Sequence, residues 1–150
     1  MGKMIEFFYN GKIVSGLSAA SGKKKNWQGK GSVELQIDWL KKHDPECGNL
    51  FKDCYFATIN IVLKQNFEIN QWDYVFDNVF WIPNCNSWSE KIAFKRCKLV
   101  IEEKKYEAWL YKPFSSPHKH QKNFIEIISS KIDGVRNGVA CDLIFNDNLG

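Results

Sequence analysis

The chain has 150 residues, enough for one domain (residues 1–150) with its own core. Hydrophobic residues make up 44%, which excludes disorder along the whole length, and no apolar run approaches the ~20 residues that cross a bilayer as a helix. The formal charge of +4 is mild: it suits an anionic small ligand and does not call for nucleic acid.

The cysteines, Cys47, Cys54, Cys85, Cys97 and Cys141, are odd in number and contain no CxxC pair. Neither a zinc knuckle nor a disulfide framework is expected, and a reduced, cytoplasmic protein is the simplest inference. Lys3 is followed by no sustained apolar region, so no signal peptide is expected. Six Trp, five Tyr and eleven Phe are many for this size. Such rings fill cores and also stack on planar ligands.

Taken in order, Met4 to Tyr9 reads as a strand, Asn10-Gly11 as a hairpin turn, and Lys12 to Ser15 as the returning strand, ending at Gly16. Ser21 to Ser32 is a polar loop carrying Lys23, Lys24, Lys25 and Lys30 around Trp27. It is a solvated loop or a clamp for phosphates, but not a Walker A loop, because Lys24 stands where the first Gly is required and Gly31 where Ser or Thr is required. Val33 to His43 fits both a strand and a helix period. Ser32 as a cap and Asp44-Pro45 as a stop favour the helix.

Phe56 to Leu63 alternates with period two and is the strand around which the rest is organised. Ala57, Ile59, Ile61 and Leu63 form its core face. Thr58 and Asn60 share the other face. They are either the wet side of an ordinary strand or two neutral oxygens able to help hold a hard cation whose remaining shell comes from phosphate.

Further on, Trp72 to Trp81 is an aromatic strand broken at Asp77-Asn78, and Pro83 to Glu90 a loop. Ile92 to Ile101 and Lys105 to Tyr111 make a hairpin around Glu102-Glu103-Lys104. His118 and His120 read as loop histidines, with no third metal ligand nearby. Phe124 to Ile128 is an apolar strand with Glu126 in its middle. A carboxylate there is either at a wet edge or facing a cavity. Val139 to Phe145 is the closing strand. Many short strands with few helices suggest a mainly β, small closed barrel.

Four segments, in this order, resemble the CTP-dependent riboflavin kinase family: Val14-Ser15-Gly16-Leu17, Ala57-Thr58-Ile59-Asn60, Phe67-Glu68-Ile69-Asn70 and Ile125-Glu126-Ile127-Ile128. The resemblance implies a six-stranded cradle-loop barrel with one or two short helices, and transfer of a nucleoside triphosphate's γ-phosphate to riboflavin, giving FMN. It implies that Thr58 and Asn60 hold Mg²⁺, that Ser15, Gly16, Leu17 and Lys131 bind the nucleotide (CTP in the family), and that Ser116 and Glu126 bind the flavin. Glu126 would face the barrel cavity and orient or deprotonate the acceptor hydroxyl. The chain departs from the family at Ala57, at Ser18 where a glycine is usual, and at Val139 where Asp is usual. It also lacks an Arg-bearing segment after Ile128. A non-catalytic nucleotide- or flavin-binding module on the same barrel is the alternative.

Overall fold

The computed structural model describes residues 4–14, 32–44, 50–51, 58–69, 71–82, 85, 87–114, 123–130, 132 and 135–148. They form seven strands and one α-helix: β1 (Met4–Val14), α1 (Ser32–His43), β2 (Ile59–Leu63), β3 (Tyr74–Val79), β4 (Glu90–Ile101), β5 (Lys104–Pro113), β6 (Phe124–Ser129) and β7 (Ala140–Asn148). The strand order is β3-β4-β5-β6-β2-β1-β7, and a further pairing of β4 with β7 closes the ring. Six antiparallel strands therefore make a closed barrel, and β3 extends the sheet beyond β4.

Alternation along each strand divides two cores. Ile13, Ile61, Leu63, Leu99, Leu110, Ile125, Ile127, Leu143 and Phe145 point inward and fill the barrel. Ile92, Phe94, Trp109, Tyr111 and Ile128 have the opposite parity and form an outer face. On that face lie Val33, Ile37 and Leu40 of α1, together with Phe51 and Val79. Val33, Ile37 and Leu40 recur at helical spacing, which is why this segment resolves its double periodicity as a helix. Glu34 in the first turn and Lys41, Lys42 and His43 in the last complement the helix dipole.

One expectation is corrected at Asn10-Gly11. These residues do not turn the chain, because β1 runs through them unbroken from Met4 to Val14. Gly11 is needed for close packing instead. A Cβ there would lie 2.8 Å from both Ile61 Cγ2 and the Val62 carbonyl oxygen. At this point β1 passes from pairing with β7 to pairing with β2. The break foreseen at Asp77-Asn78 is a bulge within β3, with Asn78 at φ 57° and the register shifting between Phe76 and Val79. The β4–β5 hairpin turns tightly on Glu102 and Glu103, both left-handed at φ 51° and 68°.

Candidate functional site

Residues from six neighbouring strands line up in one register across the outer face. Val14 pairs with Asn60, Asn60 with Glu126, Glu126 with Tyr111, Tyr111 with Phe94 and Phe94 with Tyr74. Directly opposed residues project to the same side of a sheet. The row thus brings Asn60 and Glu126, 66 positions apart in sequence (126 − 60), onto adjacent strands of one face.

Asn60 is buried, and Thr58 Oγ1 donates to Asn60 Oδ1 at 3.2 Å. The shared face read from the alternation of Thr58 and Asn60 is therefore realised. Oxygens at adjacent corners of an octahedral Mg²⁺ site lie roughly 2.9 Å apart, given metal–oxygen distances of about 2.1 Å. The pair fits such an edge once the hydroxyl hydrogen rotates away. Two neutral oxygens are a minor part of a shell, and among the described residues no cluster of three or more His, Cys, Asp or Glu side chains completes it.

Glu126 departs from expectation in its direction. Ile125 and Ile127 fill the barrel, whereas Glu126 shares parity with Ile128 on the outer face. It does not face the barrel cavity, because its neighbours Ile125 and Ile127 take the inward parity of β6 and pack into the barrel core. The carboxyl group is mostly buried, and burial pushes its pKa up from 4.5 to about 7. That is the range in which a carboxylate can accept a proton at neutral pH.

Three buried side chains with polar atoms were not singled out from the sequence: Tyr111 within this row, and Gln36 and Glu90. The Tyr111 hydroxyl donates to Gln36 Oε1, tying β5 to α1. Its pKa is raised first by burial, then by the negative charges of Glu126 and Glu90, and lowered by the bond to Gln36. The signal for Gln36 was present: it lies between Val33 and Ile37 on the apolar stripe of α1, where a polar residue must find a partner.

The remaining expected site residues, Ser15, Gly16, Leu17, Ser116 and Lys131, lie outside the described residues. So do His118, His120 and the lysines at 23–25 and 30. Val14, the residue before Ser15 in sequence, stands opposite Asn60.

Elsewhere, Lys95 and Asp147 are buried together with Nζ and Oδ1 3.8 Å apart, and the Lys95 amine donates to the Gln71 carbonyl at 2.7 Å. An open cleft of about 510 Å³ lies between Glu102 and the Arg136–Ala140 turn. Among the described residues, no helix is long and apolar enough to cross a membrane. No model of a known protein family matches the chain, and no curated protein matches it.

Proposed function

We propose that the protein is a riboflavin kinase-like phosphotransferase, using Mg²⁺ to transfer the γ-phosphate of a nucleoside triphosphate to riboflavin and giving FMN. The observation that carries this reading is the register of Asn60 opposite Glu126, with Thr58 Oγ1 hydrogen-bonded to Asn60 Oδ1. Phosphoryl transfer needs little covalent chemistry from the protein; it needs charge neutralisation and an oriented hydroxyl. Thr58 and Asn60 would hold the metal ion against the phosphates. Glu126, with a pKa of about 7, would accept or orient the hydroxyl proton of the acceptor.

By the family resemblance, Ser15, Gly16, Leu17 and Lys131 would contact the nucleotide, and Ser116 the flavin. Free Cys85, Cys97 and Cys141 suit a reducing compartment, and the cytoplasm is the proposed location.

The test is to incubate the protein with riboflavin, MgCl₂ and each of CTP, UTP, ATP and GTP, measuring FMN by chromatography and melting temperature in parallel. FMN formation that needs Mg²⁺ and is lost in Glu126→Gln supports the reading. Stabilisation by flavin or nucleotide without FMN would instead identify a non-catalytic binding module. No stabilisation and no product would refute both.

A further inference from the structure

The cleft beside Arg136 is built by two tight turns at one end of the barrel. One is the β4–β5 turn, with Glu102 left-handed. The other leads into β7 and is fastened to the end of β1: the Gly138 amide donates to the Ile13 carbonyl at 2.7 Å, and the Ile13 amide to the Val139 carbonyl at 2.9 Å. Gly138 has φ 91°, a conformation that a side chain would strain. The turn is thus held in place by backbone bonds, and Arg136 lines the cleft from a fixed support.

Arg136 is exposed and has no carboxylate partner among the described residues. An exposed guanidinium offers a planar fork of donors suited to phosphate oxygens. The cleft is wide open to solvent, with a volume of about 510 Å³. Its position matters as much. Ile13, to which the turn is bonded, precedes Val14, and Val14 stands opposite Asn60. The turn that lines the cleft is therefore bonded to the strand whose last residue stands opposite Asn60.

We propose that this cleft binds the polyphosphate chain of a nucleoside triphosphate, with Arg136 as its cationic anchor. The assignment rests on the phosphotransferase reading for the identity of the ligand, and on the cleft itself for its charge preference. Glu102, on the opposite wall, opposes an anion and sets a ceiling on affinity when Mg²⁺ is absent. Arg136 holds one part of the chain, and the metal pair neutralises another.

The experiment is calorimetric titration of inorganic tripolyphosphate and of CTP, each with and without MgCl₂, into the wild type, Arg136→Met, Arg136→Lys, Glu102→Gln and Asn60→Ala. Unliganded melting temperatures verify that the exposed substitutions leave the fold intact. Arg136→Met should weaken both ligands roughly tenfold or more, and Arg136→Lys by less, since it keeps the charge but loses the fork. Glu102→Gln should tighten metal-free tripolyphosphate roughly threefold by removing a like charge. Asn60→Ala should lose the Mg²⁺ enhancement while keeping the Arg136-dependent, metal-free binding. Wild-type affinity in Arg136→Met would overturn the cleft assignment and leave the phosphotransferase reading standing. Arg136-dependent tripolyphosphate binding without any binding of CTP or formation of FMN would keep the anion site and overturn that reading. No binding of either ligand to the wild type would overturn both.

Discussion

Asn60 and Glu126 stand directly opposite one another on β2 and β6, one carrying a neutral amide and the other a mostly buried carboxyl group. This juxtaposition makes the proposed metal assignment testable. With only two neutral oxygens from Thr58 and Asn60, Mg²⁺ should bind well only when phosphate is present. In the wild type, MgCl₂ should raise the thermal stabilisation given by a nucleotide. Asn60→Ala should abolish that increment, lowering Mg²⁺ affinity by at least the roughly 10–100-fold that disturbing a metal site's supporting residues costs. A full Mg²⁺ effect in the variant would remove Asn60 from the site.

Glu126 also predicts a pH dependence of stability. Its folded pKa of about 7 lies above the 4.5 of a free carboxyl group, so the native state holds this proton more tightly than the unfolded chain does. Its contribution is fully present below about 4.5 and is lost as pH rises through about 7. Above that range the buried charge destabilises the fold by roughly 2–3 kcal/mol, allowing for partial exposure of the carboxyl group. Glu126→Gln should match the wild type in urea unfolding near pH 4 and exceed it by that amount at pH 8. An unchanging difference across the range would contradict the burial argument.

The bond from Tyr111 to Gln36 joins the barrel wall to α1 in a buried setting. Tyr111→Phe leaves the Gln36 amide oxygen without its donor, at a cost of roughly 1–3 kcal/mol. Gln36→Leu strands the hydroxyl at similar cost. The double variant replaces both partners with apolar groups and should be clearly less destabilised than the sum of the two. Chemical denaturation of the three variants measures the coupling, and strict additivity would mean that the bond contributes nothing.

Local pattern was enough for much of this fold. Alternation located β2, β6 and the β4–β5 hairpin, and the stop at Asp44-Pro45 located the helix end. What misled was Asn10-Gly11, a hairpin signal that tertiary contact overrides: Gly11 is held to β1 by the crossing of β2, a partner some fifty positions away. The same limit hid the site. The parity of Glu126 against Ile125 and Ile127 was readable, but which parity faced the barrel depended on ring closure through β4 and β7. Tyr111 stood out beside Glu126 only once register aligned β5 with β6. Thr58 and Asn60 were legible because their relationship is local, two residues apart on one strand face.

The buried pair of Lys95 and Asp147 gives the last prediction. Lys95 has inward parity on β4, and its amine lies 3.8 Å from Asp147 Oδ1 and 5.8 Å from the centre of the Phe145 ring. Its bond to the Gln71 carbonyl fastens the segment between β2 and β3, whose Phe67, Ile69 and Trp72 pack against the barrel core. Asp147 in turn raises the Tyr9 pKa, after burial as the larger cause, so the carboxylate sits close to the aromatic group of Phe7, Tyr9, Phe67 and Phe145. In such surroundings an ion pair contributes little over an apolar replacement, yet losing one partner is costly. Lys95→Met should destabilise by roughly 3–5 kcal/mol, whereas Lys95→Met combined with Asp147→Leu should recover the part of that loss due to the uncompensated buried carboxylate, but not the part due to the lost bond to the Gln71 carbonyl. Hydrogen exchange adds a local readout. The Asp73 amide, bonded to the Phe94 carbonyl at 3.0 Å, should lose protection in the single variant before the strands of the ring do. A single variant within about 1 kcal/mol of the wild type, with Asp73 still protected, would show that packing of Phe67 and Trp72 alone holds this segment.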